Sequence, residues 1–282
     1  ICIDNNDNAE IIHLSTNMCP AHRKNTISEI RKLLDSDKNK PVICVTTQLI
    51  EAGVDISFKC VVRSAAGLDS VIQAAGRCNR HGESEKNCPV YVIKIKEENL
   101  SKLNEIREGQ DIFCNIMEYG VSGNIQSPEV VSDYYEKYYK KFSKKLSYNI
   151  EGSDESIMNL ISLNKKRREI NENTPVYCSQ AFKTAGQAFE VIDSRTIDVI
   201  VPYDAKAKSL ISRLETENKE IRQLLRETQK YTVGIYNYMK EKLSENHALR
   251  VLKCGAIVLE KSYYDDFKGV IIEGAEQELL IY

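Results

Sequence analysis

At 282 residues the chain has the length of about two domains, each large enough to enclose its own core. Its 42% hydrophobic and 28% charged residues, with 13 Gly and 6 Pro, are those of an ordinary globular protein, and a formal net charge of -2 excludes a strong overall field for nucleic acid, so any such contact has to be local. No apolar run approaches the roughly 20 residues needed to cross a bilayer, so no membrane contact is expected.

The nine cysteines are odd in number and show no CxxC spacing, and several sit inside apolar strands. They read as reduced core thiols of a cytoplasmic protein, not as staples or zinc ligands. His13, His22, His81 and His247 form neither an HExxH nor a His-Asp pair, so no metal site is expected. The opening ICIDNNDNAE has no basic or apolar signal region and no initiator Met, which predicts an excerpt of a longer, non-secreted protein.

In chain order, Ile11 to Ser15 predicts a strand with Ser15, Thr16 and Asn17 at its carboxyl end. Pro20, then Ile27, Ile30, Leu33 and Leu34, predict an amphipathic helix with Pro in its first turn. Pro41 to Val45 is a second strand ending in Thr46, Thr47 and Gln48, and in open α/β sheets ligands bind at that end. Leu49, Ile50 and Ala52 make a short helical turn stopped by Gly53, and Val54 and Ile56 flank the single carboxylate of Asp55. Cys60 to Val62 is the next strand.

If Asp69 to Arg80 is one helix, Gln73, Arg77 and Arg80 fall at i, i+4 and i+7 on a single face. Planar guanidiniums donate paired hydrogen bonds to phosphate oxygens, which suits such a face to a triphosphate. Gly76 between them would allow close packing or close approach of a nucleotide. Taken alone, the pattern also fits a solvated face. Val90 to Lys96 alternates apolar and basic residues, as a strand near a sheet edge does.

From Asn99 to about Glu172 the periodicity is helical. Leu100, Leu103, Ile106, Ile112, Ile116 and Met117 mark one or two helices, and Ser127 with Glu129 starts another through Val130, Val131, Tyr134, Tyr138 and Phe142. Tyr134, Tyr135, Tyr138 and Tyr139 share that segment with Lys137, Lys140, Lys141, Lys144 and Lys145, which suits either base stacking or buried rings under solvated lysines. Lys165 to Arg168 either complement a helix end or face DNA. Beyond Thr174 a second fold follows: a hairpin of Phe189 to Asp193 and Thr196 to Tyr203, a helical stretch over 205 to 230, and strands at Tyr231 to Tyr236, Ala256 to Lys261 and Gly269 to Glu273.

The stretch TTQLIEAGVDI resembles motif V, and QAAGRCNRHG motif VI, of the second RecA-like lobe of superfamily 2 helicases, in the usual order and separation. Within that superfamily the wording of Gln73 to Gly82, with HLSTNMCPAHR upstream, resembles most the CRISPR-associated helicase-nuclease of type I interference, an antiviral effector recruited to an R-loop to unwind and degrade DNA. The resemblance implies an α/β fold: a RecA-like parallel-sheet lobe of the P-loop NTPase type, lacking the P-loop itself, over residues 1–98, with its first strand and helix upstream. A helical linker over 99–173 and a smaller α+β C-terminal domain around an antiparallel sheet over 174–282 would follow.

The same resemblance implies roles. Arg80 is the arginine finger on the γ-phosphate, Arg77 its companion and Gln73 a supporting contact. Asp55 meets the ribose, with Gly53 and Gly76 giving the turns and close approach of the nucleotide site. Thr46, Thr47 and Gln48 lie near nucleic-acid phosphates, as do Thr16 and Arg23 of a motif IV-like segment. No GxxxxGK[ST] occurs, so ATP with Mg²⁺ would be completed by a first lobe that supplies the phosphate cradle and the metal ligands. The implied partners are single-stranded DNA, a guide-RNA surveillance complex on an R-loop, and the first RecA-like lobe and N-terminal HD nuclease of the same protein. The isolated chain is expected to be inactive. The alternatives are the second lobe of an RNA or DNA-repair helicase, or a non-hydrolysing platform for nucleic acid or protein.

Overall fold

The computed structural model describes residues 9–35, 40–51, 53–96, 100, 103–118, 124–143, 148–150, 154–162, 180–189, 196–216 and 220–273. The chain forms two compact units, one built from residues 1–56 and 195–282, the other from residues 57–194. Together they make a mixed α/β protein with small sheets.

In the first unit, β1 (Glu10–Leu14) and β2 (Val42–Thr46) pair in parallel, with Leu14 opposite Thr46. Helix α1 (Pro20–Leu34) joins them. Pro20 opens it where a missing N–H costs nothing, and the helix buries His22, Thr26 and Ile30. All three elements lie within a residue or two of the expected limits, because alternation and the proline are local signals.

The C-terminal part of this unit holds a four-stranded sheet of β5 (Thr196–Ile200), β6 (Thr232–Tyr236), β7 (Leu249–Val251) and β8 (Ile257–Leu259) in the order β6-β5-β8-β7. The sheet is mixed, a correction to the expected antiparallel one: β5 runs antiparallel to β6 but parallel to β8. Between β5 and β8 the chain passes through helices Ala205–Thr216, Ile221–Thr228 and Asn237–Glu245. A connection of that length permits parallel pairing. A short antiparallel pair, β9 (Tyr264–Asp265) and β10 (Gly269–Val270), completes the unit. Of the expected hairpin, Phe189 follows a helix, Phe182–Ala188, and residues 190–195 lie outside the described residues.

One apolar core serves this unit, and it is built from both ends of the chain. Cys19, at the N-cap of α1, is fully buried with Val199, Leu224, Ile235, Leu243 and Leu259. Val270 donates its N–H to the Asn17 carbonyl at 2.9 Å. Gly269 has φ +83°, and a Cβ there would lie 2.3 Å from the Asn17 oxygen, so glycine alone fits this crossing.

In the second unit, β3 (Val61–Ser64) and β4 (Val90–Ile93) pair in parallel, as a separate two-stranded sheet. Helices α2 (Leu68–Ala75), α3 (Asn104–Glu118) and α4 (Pro128–Phe142) pack through Leu68, Val71, Ile112, Phe113, Ile116 and Tyr134. Two glycines let α3 approach the start of α2: a Cβ on Gly109 would sit 3.2 Å from the Gly67 Cα. Ser127 Oγ caps α4 by accepting the Val130 N–H at 3.4 Å.

Along α4 the tyrosines divide. Tyr134 is buried in the core, whereas Tyr139 is exposed and stacks on Tyr135 at 5.7 Å. Lys137 pairs with Asp133 and Lys141 with Glu108, so this helix carries cations in surface pairs beside its buried Tyr134. Lys144, Lys145 and Lys165 to Arg168 lie outside the described residues. Among the described residues, no helix is long and apolar enough to cross a membrane.

Candidate functional site

The anticipated residues fall into two sets, one in each unit. In the first, parallel pairing aligns the carboxyl ends of β1 and β2, so the turns after Leu14 and Thr46 emerge side by side. Thr16 and Thr47 are exposed there, and the Thr47 N–H donates to the Leu14 carbonyl at 3.3 Å. Thr46 Oγ1 donates to the Thr47 carbonyl at 3.0 Å. Gln48, exposed, opens a single 3₁₀ turn to Ile50. Arg23 is half-buried in the first turn of α1.

Gly53 follows at φ +73°, the left-handed region that the tight turn requires, and a Cβ there would meet no atom within 4 Å. Backbone conformation, not space, is what demands glycine. Asp55 is exposed, and its carbonyl accepts from Arg31 Nε at 3.2 Å, which ties the turn to α1.

The second unit holds Gln73, Gly76, Arg77 and Arg80, and here one expectation is overturned. Helix α2 stops at Ala75, so Gln73, Arg77 and Arg80 do not line one helical face. Gly76 caps it at φ -64° and ψ 0°, and the next N–H groups turn back on the last helical carbonyls. The chain then runs beside residues 57 and 58: Phe58 N–H donates to the Arg77 carbonyl at 2.8 Å, and Asn79 N–H to the Phe58 carbonyl at 2.8 Å. Pairing with this neighbour replaces the helical ladder. Arg77 is 7% exposed, while Gln73 and Arg80 are exposed.

Around Arg80 the backbone is laced by side chains. Ser57 Oγ accepts the Arg80 N–H at 2.9 Å and donates to Glu83 Oε2 at 2.8 Å. Glu83 Oε1 lies 3.1 Å from His81 Nδ1. Asn79, at φ 48°, exchanges two hydrogen bonds with the Ser84 backbone, at 2.9 and 3.0 Å. The Ser57 hydrogen bond is the main reason that the Glu83 carboxyl is held below the usual carboxylate range, so the latch is anionic and complete at neutral pH.

Chemically, this fixes the backbone of an exposed arginine whose Nη1 donates to the Gly76 carbonyl at 3.5 Å, an arrangement suited to meeting an anion. Ser57 and Glu83 escaped the sequence reading. Ser57 directly follows the motif V stretch and carried a signal only in its position; Glu83 lay just past motif VI, where a surface acid is unremarked. Among the described residues no group of three or more His, Cys, Asp or Glu is placed to hold a metal ion.

The family described as the C-terminal part of the CRISPR-associated nuclease/helicase Cas3 matches residues 2–83. The Haloferax volcanii CRISPR-associated nuclease/helicase Cas3 is 57% identical over 53 residues, which are 19% of this chain and 6% of that protein. Among solved structures, T. fusca Cas3 with ADP aligns over 95% of this chain and 36% of its own, at TM-score 0.55 and 15% identity. A chain of a CRISPR RNA-guided surveillance complex before nicking aligns over 93% and 37%, at TM-score 0.52 and 14% identity. These structural likenesses concern the fold, and the chain spans about a third of the length of those solved chains. The motif resemblance and the matched residues agree: residues 2–83 are similar to the C-terminal part of the CRISPR-associated nuclease/helicase Cas3.

Proposed function

We propose that the chain supplies the second-lobe half of an ATP-driven single-stranded-DNA translocase that works with an HD nuclease in type I CRISPR interference, docked on a guide-RNA surveillance complex at an R-loop. The carrying observation is the solvent-facing Arg80 on a backbone pinned by Ser57 within a loop latched by Glu83. A finger that must reach a γ-phosphate has to be exposed and fixed at its root.

In this reading residues 1–98 form a RecA-like lobe, 99–173 a linker and 174–282 an accessory domain. Arg80 meets the γ-phosphate of ATP, with Arg77 and Gln73 beside it. Asp55 meets the ribose across the turn made by Gly53. Thr46, Thr47, Gln48, Thr16 and Arg23 hold the DNA backbone, from the aligned carboxyl ends of β1 and β2. Mg²⁺, held by ligands of the first lobe, would neutralise charge developing on the phosphates. Solved relatives support the nucleotide: T. fusca Cas3 has been crystallised with ADP and with AMPPNP. Both sequence matches name Cas3, which favours this reading over an RNA or DNA-repair helicase.

In the full-length protein, Arg80→Ala should lower ATPase turnover by about 10³-fold or more. Near-normal turnover would remove Arg80 from the role. The purified 282-residue chain alone should neither hydrolyse ATP nor cut DNA, and turnover that survives removal of contaminants would refute that half of the proposal.

A further inference from the structure

Of the seven cysteines among the described residues only Cys19 is buried, so the expectation of core thiols holds for that one alone, and the Tyr264 hydroxyl accepts its N–H at 3.2 Å. Tyr264 opens the β9–β10 hairpin, and the rest of the hairpin runs along the chain that leads into Cys19. His13 Nδ1 lies 3.2 Å from the Phe267 carbonyl, Ser15 Oγ donates to the Lys268 carbonyl at 3.5 Å, and the Val270 N–H donates to the Asn17 carbonyl at 2.9 Å. Residues 13 to 19, which carry β1 out through the exposed Thr16 and into α1, are therefore bonded to the hairpin along their length.

The turn of the hairpin, residues 266–268, is also fixed from within. Asp265 Oδ1 accepts the Phe267 N–H at 2.8 Å and the Lys268 N–H at 2.6 Å, and Asp266 pairs with Lys261 at 2.9 Å, so both acids are engaged. Lys268 is exposed and bonds through its backbone, while among the described residues its ammonium meets no acid. Phe267 is 40% exposed, with its ring 5.8 Å from that of His13. Packing needs neither side chain, because it runs through the buried Tyr264, Gly269 and Val270. What the turn offers to solvent is an aromatic face and a cation on adjacent residues, the pair by which a protein holds a base and a phosphate of a single strand.

We propose that Phe267 and Lys268 belong to the single-strand grip, the ring stacking on a base and the ammonium meeting a phosphate of DNA that passes Thr16 and Thr47. The inference rests on the reading above that DNA is held at the carboxyl ends of β1 and β2. It adds to that phosphate-directed grip a stacking contact, which accepts any base because every base has a π-face.

The test is the binding of a fluorescent oligothymidylate to the full-length protein over a range of salt concentrations. Lys268→Ala should lower the slope of log affinity against log salt by about 0.7, the share of one phosphate of a single strand, and Lys268→Arg should restore it. Phe267→Leu should weaken binding about fivefold or more, and Phe267→Tyr should not. An unchanged slope in Lys268→Ala, full affinity in Phe267→Leu, or a fall in the denaturation midpoint large enough to account for the lost binding would each overturn the proposal. The double variant Thr16→Ala with Thr47→Ala separates the two readings. Weakened binding there with full affinity in the hairpin variants would leave the proposed function standing without the hairpin, whereas full affinity in all of them would overturn both.

Discussion

Two polar networks tie distant parts of this chain together, and they do so in opposite surroundings. In the first unit, Tyr264 Oη meets His22 Nδ1 at 2.9 Å and accepts the Cys19 N–H at 3.2 Å, while Tyr203 stacks on His22 at 4.5 Å. All of that but Tyr203 is buried. In the second unit, Ser57, Arg80, His81 and Glu83 form a latch near solvent. A buried network is costly to break because the groups left behind have no water to turn to; an exposed one is cheap to break but fixes geometry. The contrast therefore predicts that losses in the first unit read out as stability and losses in the second as turnover.

Tyr264→Phe should sharpen the difference most strongly after the Arg80 variant. It strips hydrogen bonds from the Cys19 N–H and the His22 ring at a buried point, so a cost of about 1 to 3 kcal/mol in chemical denaturation is expected. A loss below a few tenths of a kcal/mol would show that water replaces the hydroxyl. The phenol is held protonated well above its ordinary value, chiefly by burial, so the network stays intact into alkaline solution.

Acid should open the same region. Burial pushes His22 below its ordinary value, opposed by Asp266 and Asp265 and assisted by Lys261, with Cys19, Tyr203 and Tyr264 as its immediate neighbours. The unfolded histidine binds its proton first as pH falls, so the contribution is full above about 6.5 and is lost as pH drops through the lower folded value. Denaturation midpoints measured from pH 7.5 to 5 should fall, and His22→Gln should flatten that slope. An unchanged slope in the variant would assign the acid sensitivity elsewhere.

At the exposed latch, Ser57→Ala should leave the denaturation midpoint nearly unmoved. In the full-length protein it should lower kcat for ATP about fivefold with KM unchanged, the equivalent of one net hydrogen bond at about 1 kcal/mol. Ser57→Thr keeps the hydroxyl and should restore it. Equal falls in stability and turnover would make Ser57 a packing residue. The smallest effect belongs to the surface pair Lys137–Asp133 on α4, whose removal by Lys137→Ala should cost about 0.3 kcal/mol and vanish in high salt.

Local chemistry made much of the architecture readable. β1, α1 and β2 announce themselves through alternation, a first-turn proline and β-branched runs, and Gly53 through the turn it must make. Helix α2 misled because its spacing of polar residues continues past Ala75, while the backbone at Asn79 is taken up by Phe58, a partner that periodicity does not register. The mixed sheet was hidden for a related reason: β5 pairs with β8 across three intervening helices, and no local pattern carries strand direction. The motif residues are proposed from wording, whereas Ser57 and Glu83 emerge only once the loop that brings them together is folded.

The enclosure of Cys19 by Tyr264 has a temporal side. These residues stand 245 positions apart, so a ribosome adding about 5 to 20 residues per second needs roughly 10 to 50 s to produce the second after the first. Throughout that interval β1 and α1 wait with their apolar side uncovered, a natural client for a chaperone. Helix α1 leaves the ribosome well before the residues that cover it, so translation order and assembly order run in opposite senses.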